Sequence, residues 1–162
     1  MELNIGVPNE RQRAFLQCRR KYIAFGGARG GGKSWAVRCK AKLLALRYPG
    51  IRLLLVRRTM PEIEANHLAF LRRELAGAAV YRAGERRFVF GNGSTLQFGY
   101  CSSDGDAERY QGAEYDVIFF DEATQLKEKW MRQLAACVRG VNDYPKRIYY
   151  TCNPGGPGHG YI

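Results

Sequence analysis

The chain has 162 residues, 46% of them hydrophobic, which suits one domain with a real core. Lysine and arginine outnumber aspartate and glutamate by 26 to 15, a charge of +11 that fits a polyanionic partner such as nucleic acid, although its scattered arginine doublets would serve a solvated surface equally well. No stretch is apolar for long enough to cross a bilayer, Met1-Glu2-Leu3-Asn4 lacks a secretory pattern, and five cysteines without a C-x-x-C pair argue against a zinc site or disulfide framework, so a soluble, intracellular protein with free thiols is expected.

In chain order, Asn9 to Leu16 reads as a short helix with Phe15 and Leu16 on its apolar side. Gln12 on that helix offers both a donor and an acceptor, as an adenine edge requires; an exposed helix glutamine is the other reading. Tyr22-Ile23-Ala24-Phe25 fits a short buried strand, and Ser34 to about Leu46 reads as a helix. Between them lie Gly27, Ala28, Arg29, Gly30, Gly31, Gly32, Lys33 and Ser34, which satisfy G-x-x-x-x-G-K-[ST]. A triphosphate concentrates negative charge, and backbone N–H groups at a helix N-terminus hold it best where no side chain intervenes. The glycines allow that wrap, Lys33 adds a point charge against the β- and γ-phosphates, and Ser34 is placed to ligate Mg²⁺.

Tyr48-Pro49-Gly50 stops the helix, and Ile51 to Val56 reads as a central parallel strand. Thr59-Met60-Pro61-Glu62 has the spacing of a capping box, so a helix is expected from Pro61 to Leu75, closed by Ala76-Gly77, with His67 on it in a structural or exposed role. Alternation on either side of Asn92-Gly93 predicts an antiparallel hairpin over 87–98 that widens one sheet edge. Gly99 to Gln111 reads as a polar loop without the ligand spacing of a calcium site.

Tyr115 to Phe120 is a hydrophobic strand that ends in Asp121 and Glu122 and so delivers two acids to the carboxyl edge of the sheet, where open α/β folds bind ligands. Asp121 is expected to hold Mg²⁺ beside Ser34, and Glu122 to polarise the attacking water. A helix is predicted over 124–139, with Trp130, like Trp35, as a packing residue. Arg147 to Thr151 reads as a further parallel strand whose end carries Thr151 and Asn153, placed to bond the γ-phosphate or the water. One strand and one helix separate the phosphate loop from the Asp-Glu strand, which resembles the additional-strand, catalytic-glutamate division of P-loop ATPases and makes adenine the expected base.

The loop, the Asp121-Glu122 strand and the segment Thr151-Cys152-Asn153-Pro154-Gly155-Gly156-Pro157-Gly158-His159 together resemble the ATPase part of a phage terminase large subunit, the motor that packages viral DNA. The resemblance implies an α/β P-loop NTPase fold, mainly parallel with helices on both faces, and ATP and Mg²⁺ as cofactors. Double-stranded DNA, the portal protein and the small terminase subunit are the partners it implies, in a homo-oligomeric ring within the infected bacterial host. It gives Arg29 the γ-phosphate, Gln12 the adenine, and Thr151 to Asn153 the coupling of hydrolysis to movement. Arg109 is its candidate for reaching a neighbouring subunit's nucleotide; a loop arginine paired with nearby acids is the alternative. Residues 1–162 are then expected to form the ATPase domain, incomplete at its C-terminus and without the family's nuclease domain. A helicase-like or recombination-type ATPase, or a non-hydrolysing portal- or DNA-binding fragment, are the competing readings.

Overall fold

A computed structural model describes residues 6–27, 32–153, 157–158 and 160–161. The elements run α1 (Glu10–Gln17), β1 (Tyr22–Gly26), α2 (Lys33–Arg47), β2 (Arg52–Arg57) and α3 (Met60–Ile63), which passes through a π segment (Glu64–Leu68) into α4 (Ala69–Glu74). Then follow β3 (Ala79–Arg82), β4 (Arg87–Phe90), β5 (Thr95–Tyr100), α5 (Asp104–Glu108), β6 (Val117–Phe120), α6 (Glu128–Ala135) and β7 (Arg147–Cys152).

The strands form one seven-stranded sheet in the order β1-β7-β6-β2-β5-β4-β3. Pairing is parallel from β1 to β5, and β4 and β3 continue it antiparallel. Strands in a parallel sheet must be apolar on both faces, and β2 and β6 obey: Leu53, Leu55, Val117 and Phe119 enter one core, Leu54, Val56, Ile118 and Phe120 the other. Phe15 of α1, Val37 and Ala41 of α2, and Leu68 and Leu71 of the helix after β2 cover the first face. Ala107 of α5 and Trp130 and Leu134 of α6 cover the second. The chain is therefore an α/β fold, mainly parallel, with helices on both faces and an antiparallel edge.

The Asn92-Gly93 turn forms as expected, with Gly93 at φ 84° and the Asn92 side chain accepting from Ser94 N at 3.1 Å. Several elements depart from the sequence reading. The hairpin acquires a third strand, β3, which the short Ala-Val-Tyr-Arg run did not advertise. The loop 99–111 is partly ordered: Gly99 and Tyr100 extend β5, and Ser103 N-caps the short α5 by accepting from Asp106 N. The helix expected over 124–139 is a 3₁₀ turn (Ala123–Gln125) followed by α6, which ends early because Tyr115 pairs with the chain after it, donating to Cys137 O and accepting from Arg139 N. β1 lies at the sheet edge with Tyr22 and Ala24 exposed, so only Ile23 and Phe25 are buried there. Trp130 is a packing residue, its indole N–H donating to Asp104 at 2.7 Å. None of the five cysteines is in a disulfide, and Cys39, Cys101 and Cys137 are buried.

Candidate active site

The carboxyl ends of β1, β2, β6 and β7 open on one edge of the sheet, where a parallel arrangement gathers chemically active side chains. From β1, Gly27 at φ 146° leads into the phosphate-loop motif; Ala28, Arg29, Gly30 and Gly31 lie outside the described residues. The chain returns at Gly32, which caps α2 in the left-handed region at φ 70°. Only glycine adopts that conformation without strain, and an added Cβ would meet the Gln12 amide nitrogen at 2.1 Å. Lys33 then begins α2, its Nζ donating to Gly27 O at 3.0 Å across the mouth of the loop.

Gln12 is buried beside Gly32. Its Oε1 accepts from Asn9 N at 2.9 Å, completing the capping box of α1, and its Nε2 donates to Gly32 O at 3.2 Å. Both ends of the amide thus engage the chain, and the residue braces α1 against the start of α2. Arg11, which the sequence did not single out, donates to Gly26 O at 3.1 Å beside it.

Ser34 Oγ donates to Asp121 Oδ2 at 3.2 Å, so the loop helix and the end of β6 meet. Asp121 is only 1% exposed and has four side-chain partners. Oδ2 also receives His67 Nε2 at 2.6 Å and Arg57 Nη1 at 3.3 Å, while the Thr151 hydroxyl donates to Oδ1. Burial alone would raise a carboxyl pKa, but the His67 charge and hydrogen bond, the Thr151 hydroxyl and Arg57 outweigh it and hold Asp121 well below the ordinary carboxylate range.

Glu122 turns the chain out of β6 in a left-handed conformation, φ 52° and ψ 51°, which costs an L-residue about 1–2 kcal/mol. Its N–H donates to Thr151 Oγ1 at 3.0 Å, which helps to hold that conformation. Asn153 Nδ2 donates to Glu122 Oε1 at 3.3 Å, and Arg57 Nη2 approaches Oε2 at 3.7 Å. Thr151 therefore joins the two acids, accepting from the backbone of one and donating to the carboxylate of the other.

A cavity of about 340 Å³ opens among these groups, lined by Lys33, Ser34, Asp121, Glu122, Thr151 and Asn153, with Trp35, Arg38, Asn66 and Phe70 on its outer wall. Ser34 and Asp121 present a hydroxyl and a carboxylate, hard oxygen donors of the kind magnesium accepts together with water and phosphate oxygens. Among the described residues no three His, Cys, Asp or Glu side chains gather to hold an ion. Arg109 stands apart from the cavity, more than half exposed, paired with Asp106 and stacked over the Tyr100 ring at 4.8 Å.

Two contacts of Asp121 were not foreseen from the sequence. Arg57 closes the apolar β2 run, and a charge at the carboxyl end of a parallel strand was a usable signal. His67 was read as structural or exposed; it is fully buried and bonded to Asp121, and what brings it there is the π segment, which has no reliable sequence signature.

The family described as terminase large subunit, T4likevirus-type, N-terminal, matches residues 24–162. Among solved structures, the large terminase of a thermophilic bacteriophage is similar at 18% identity and TM-score 0.77, over 94% of this chain and 40% of that one. The same protein in complex with ATP-gamma-S is similar at 18% identity and TM-score 0.73, over 94% and 40%. The Thermus phage P74-26 large terminase ATPase domain is similar at 19% identity and TM-score 0.68, over 91% and 66%. These likenesses are of fold, and the chain spans about two fifths of the length of the first of these terminases. No curated protein matches the chain.

Proposed function

This chain belongs to the N-terminal family of T4likevirus-type terminase large subunits, and from that premise we propose that it hydrolyses ATP with Mg²⁺ to drive double-stranded viral DNA into a procapsid. The observation that carries the reading is the 3.2 Å approach of Ser34 to Asp121, with the start of α2 and the paired acids lining one cavity. The N-terminus of α2 and Lys33 hold the phosphates, with Arg29 against the γ-phosphate. Ser34 and Asp121 hold the cation, which when bound offsets the charge of the β- and γ-oxygens.

Glu122 accepts the proton of the attacking water, and Asn153 and Arg57 aim its carboxylate, one at each oxygen. Thr151 on β7 carries the change at the γ-phosphate to the backbone of Glu122 and thence to β6, the step that turns hydrolysis into motion. Gln12 acts from below by setting the height of Gly32, from where its amide also borders the base. In a homo-oligomeric ring in the host cytoplasm, beside the portal protein and the small subunit, Arg109 reaches the nucleotide of a neighbour. Residues 1–162 act as the ATPase domain.

The test is phosphate release from ATP with and without double-stranded DNA, in wild type and Glu122→Gln. Wild type should turn over faster with DNA, and the variant should bind ATP while losing at least ~100-fold in rate. Unchanged hydrolysis in Glu122→Gln would remove Glu122 from the role, and no release under any condition would favour a binding-only chain.

A further inference from the structure

His67 stands out among the buried groups. Its ring is fully buried and its Nε2 lies 2.6 Å from Asp121 Oδ2. A carboxylate can only accept, so Nε2 carries the proton; Nδ1 has no hydrogen-bond partner among the described residues. A residue kept for packing alone would be better apolar, because an unpartnered buried nitrogen is costly.

The backbone around it is equally expensive. Met60–Ile63 and Ala69–Glu74 are ordinary α-helix, but Glu64–Leu68 between them is a π segment, closed by Ala69 N–H to Glu64 O. Such wide turns occur mostly as isolated bulges at functional sites. Here the extra residue lets two consecutive side chains face inward: Leu68 enters the core and His67 reaches the acid. The segment is pinned on its other side by Arg38 of α2, whose guanidinium donates to Asn66 O and lies over the Phe70 ring at 4.3 Å.

Resting on the reading that Asp121 holds the cation, we propose that His67 is a positioning residue for it: the imidazole fixes the plane of the Asp121 carboxylate, so that the face toward Ser34 is presented ready-made to a divalent ion. Oδ1 is held by Thr151 and Oδ2 by His67 and Arg57, which leaves the carboxylate no rotational freedom. Hydrogen-bonding partners behind a metal ligand tune affinity in this way, and losing one typically weakens metal binding by ~10–100-fold.

The test is Mn²⁺ binding, followed by electron paramagnetic resonance, to the protein with ATP-gamma-S. His67→Leu should weaken Mn²⁺ by ~10-fold or more while metal-free nucleotide affinity stays within ~2-fold, and His67→Gln, which keeps an N–H near the same place, should recover most of the loss. A folded Leu variant with wild-type Mn²⁺ affinity overturns the proposal. Should that variant fail to fold, wild type decides. The chain has two histidines, so nitrogen-15 NMR on a His159→Gln background reports His67 alone. Its Nε2 resonance should move when Mg²⁺ joins ATP-gamma-S and not with ATP-gamma-S in chelator; an unmoved signal overturns the proposal. If wild type binds no nucleotide at all, the function reading fails; if it binds nucleotide and Mn²⁺ but His67 is indifferent, only the positioning role fails.

Discussion

Thr151→Val replaces a buried hydroxyl by a methyl of nearly the same size, so the cavity scarcely changes while two hydrogen bonds are lost. One is the charge-assisted bond to Asp121 Oδ1 and the other accepts from Glu122 N at 3.0 Å. With Thr151 only 1% exposed, water does not replace either partner. A bond to a charged group contributes ~1.5–3 kcal/mol and a neutral one ~1 kcal/mol, so the substitution should cost about 2–4 kcal/mol. For a domain of this size each kcal/mol moves Tm by ~2–4 °C, which gives a drop of about 5–15 °C. Denaturant unfolding followed by circular dichroism measures the free energy, and differential scanning calorimetry measures Tm. Thr151→Ser keeps the hydroxyl and loses one methyl, so it should cost only ~1 kcal/mol. If Val stays within ~0.5 kcal/mol of wild type, or if Ser and Val are equally damaging, Thr151 does not tie the two acids together.

Lys33→Ala should lose ATP affinity by ~100-fold or more in isothermal titration, because Lys33 supplies the point charge at the phosphates, and should lower stability by only ~1 kcal/mol in urea through the lost bond to Gly27 O. Asp121 has a folded pKa depressed below its unfolded value of ~3.9, so its stabilisation is fully present above that pH and is lost as pH falls toward the folded value. The stability gap between wild type and Asp121→Asn, measured in urea, should therefore narrow as pH falls below ~4; a gap that widens would contradict the sign. Gly99→Ala should destabilise by ~1–3 kcal/mol in urea, since its Cβ would lie 2.9 Å from Tyr110 Cζ and 1.9 Å from its hydroxyl. A neutral Gly99→Ala would mean that the Tyr110 ring moves aside freely.

The parallel core was legible because its strands are apolar on both faces: Leu53 to Val56 and Val117 to Phe120 admit few other placements. The loop motif, Ser34, and the Asp121-Glu122 pair were legible because their chemistry fixes residue types at fixed spacing. What stayed hidden depends on contacts remote in sequence. Tyr115 captures the backbone after α6 and shortens that helix, and α5 forms because Ser103 caps a stretch that composition alone marks as loop. Gln12 was noticed for its two-sided amide, and its two partners are Asn9 and Gly32. The contact of His67 with Asp121 also stayed hidden, because helical periodicity assumes 3.6 residues per turn and the π segment breaks that rule there.

The position of β1 at the sheet margin bears on how this chain behaves in the test tube. Among the described residues nothing pairs with its outer side, and Tyr22-Ile23-Ala24-Phe25-Gly26 carries none of the prolines, bulges or inward charges that natural sheets use to discourage growth. With Tyr22 61% exposed beside that edge, where Arg11 reaches Gly26 O, a further strand can add to the sheet. A lysine or proline at Ala24 would break up that edge and should reduce any concentration-dependent association of the purified chain.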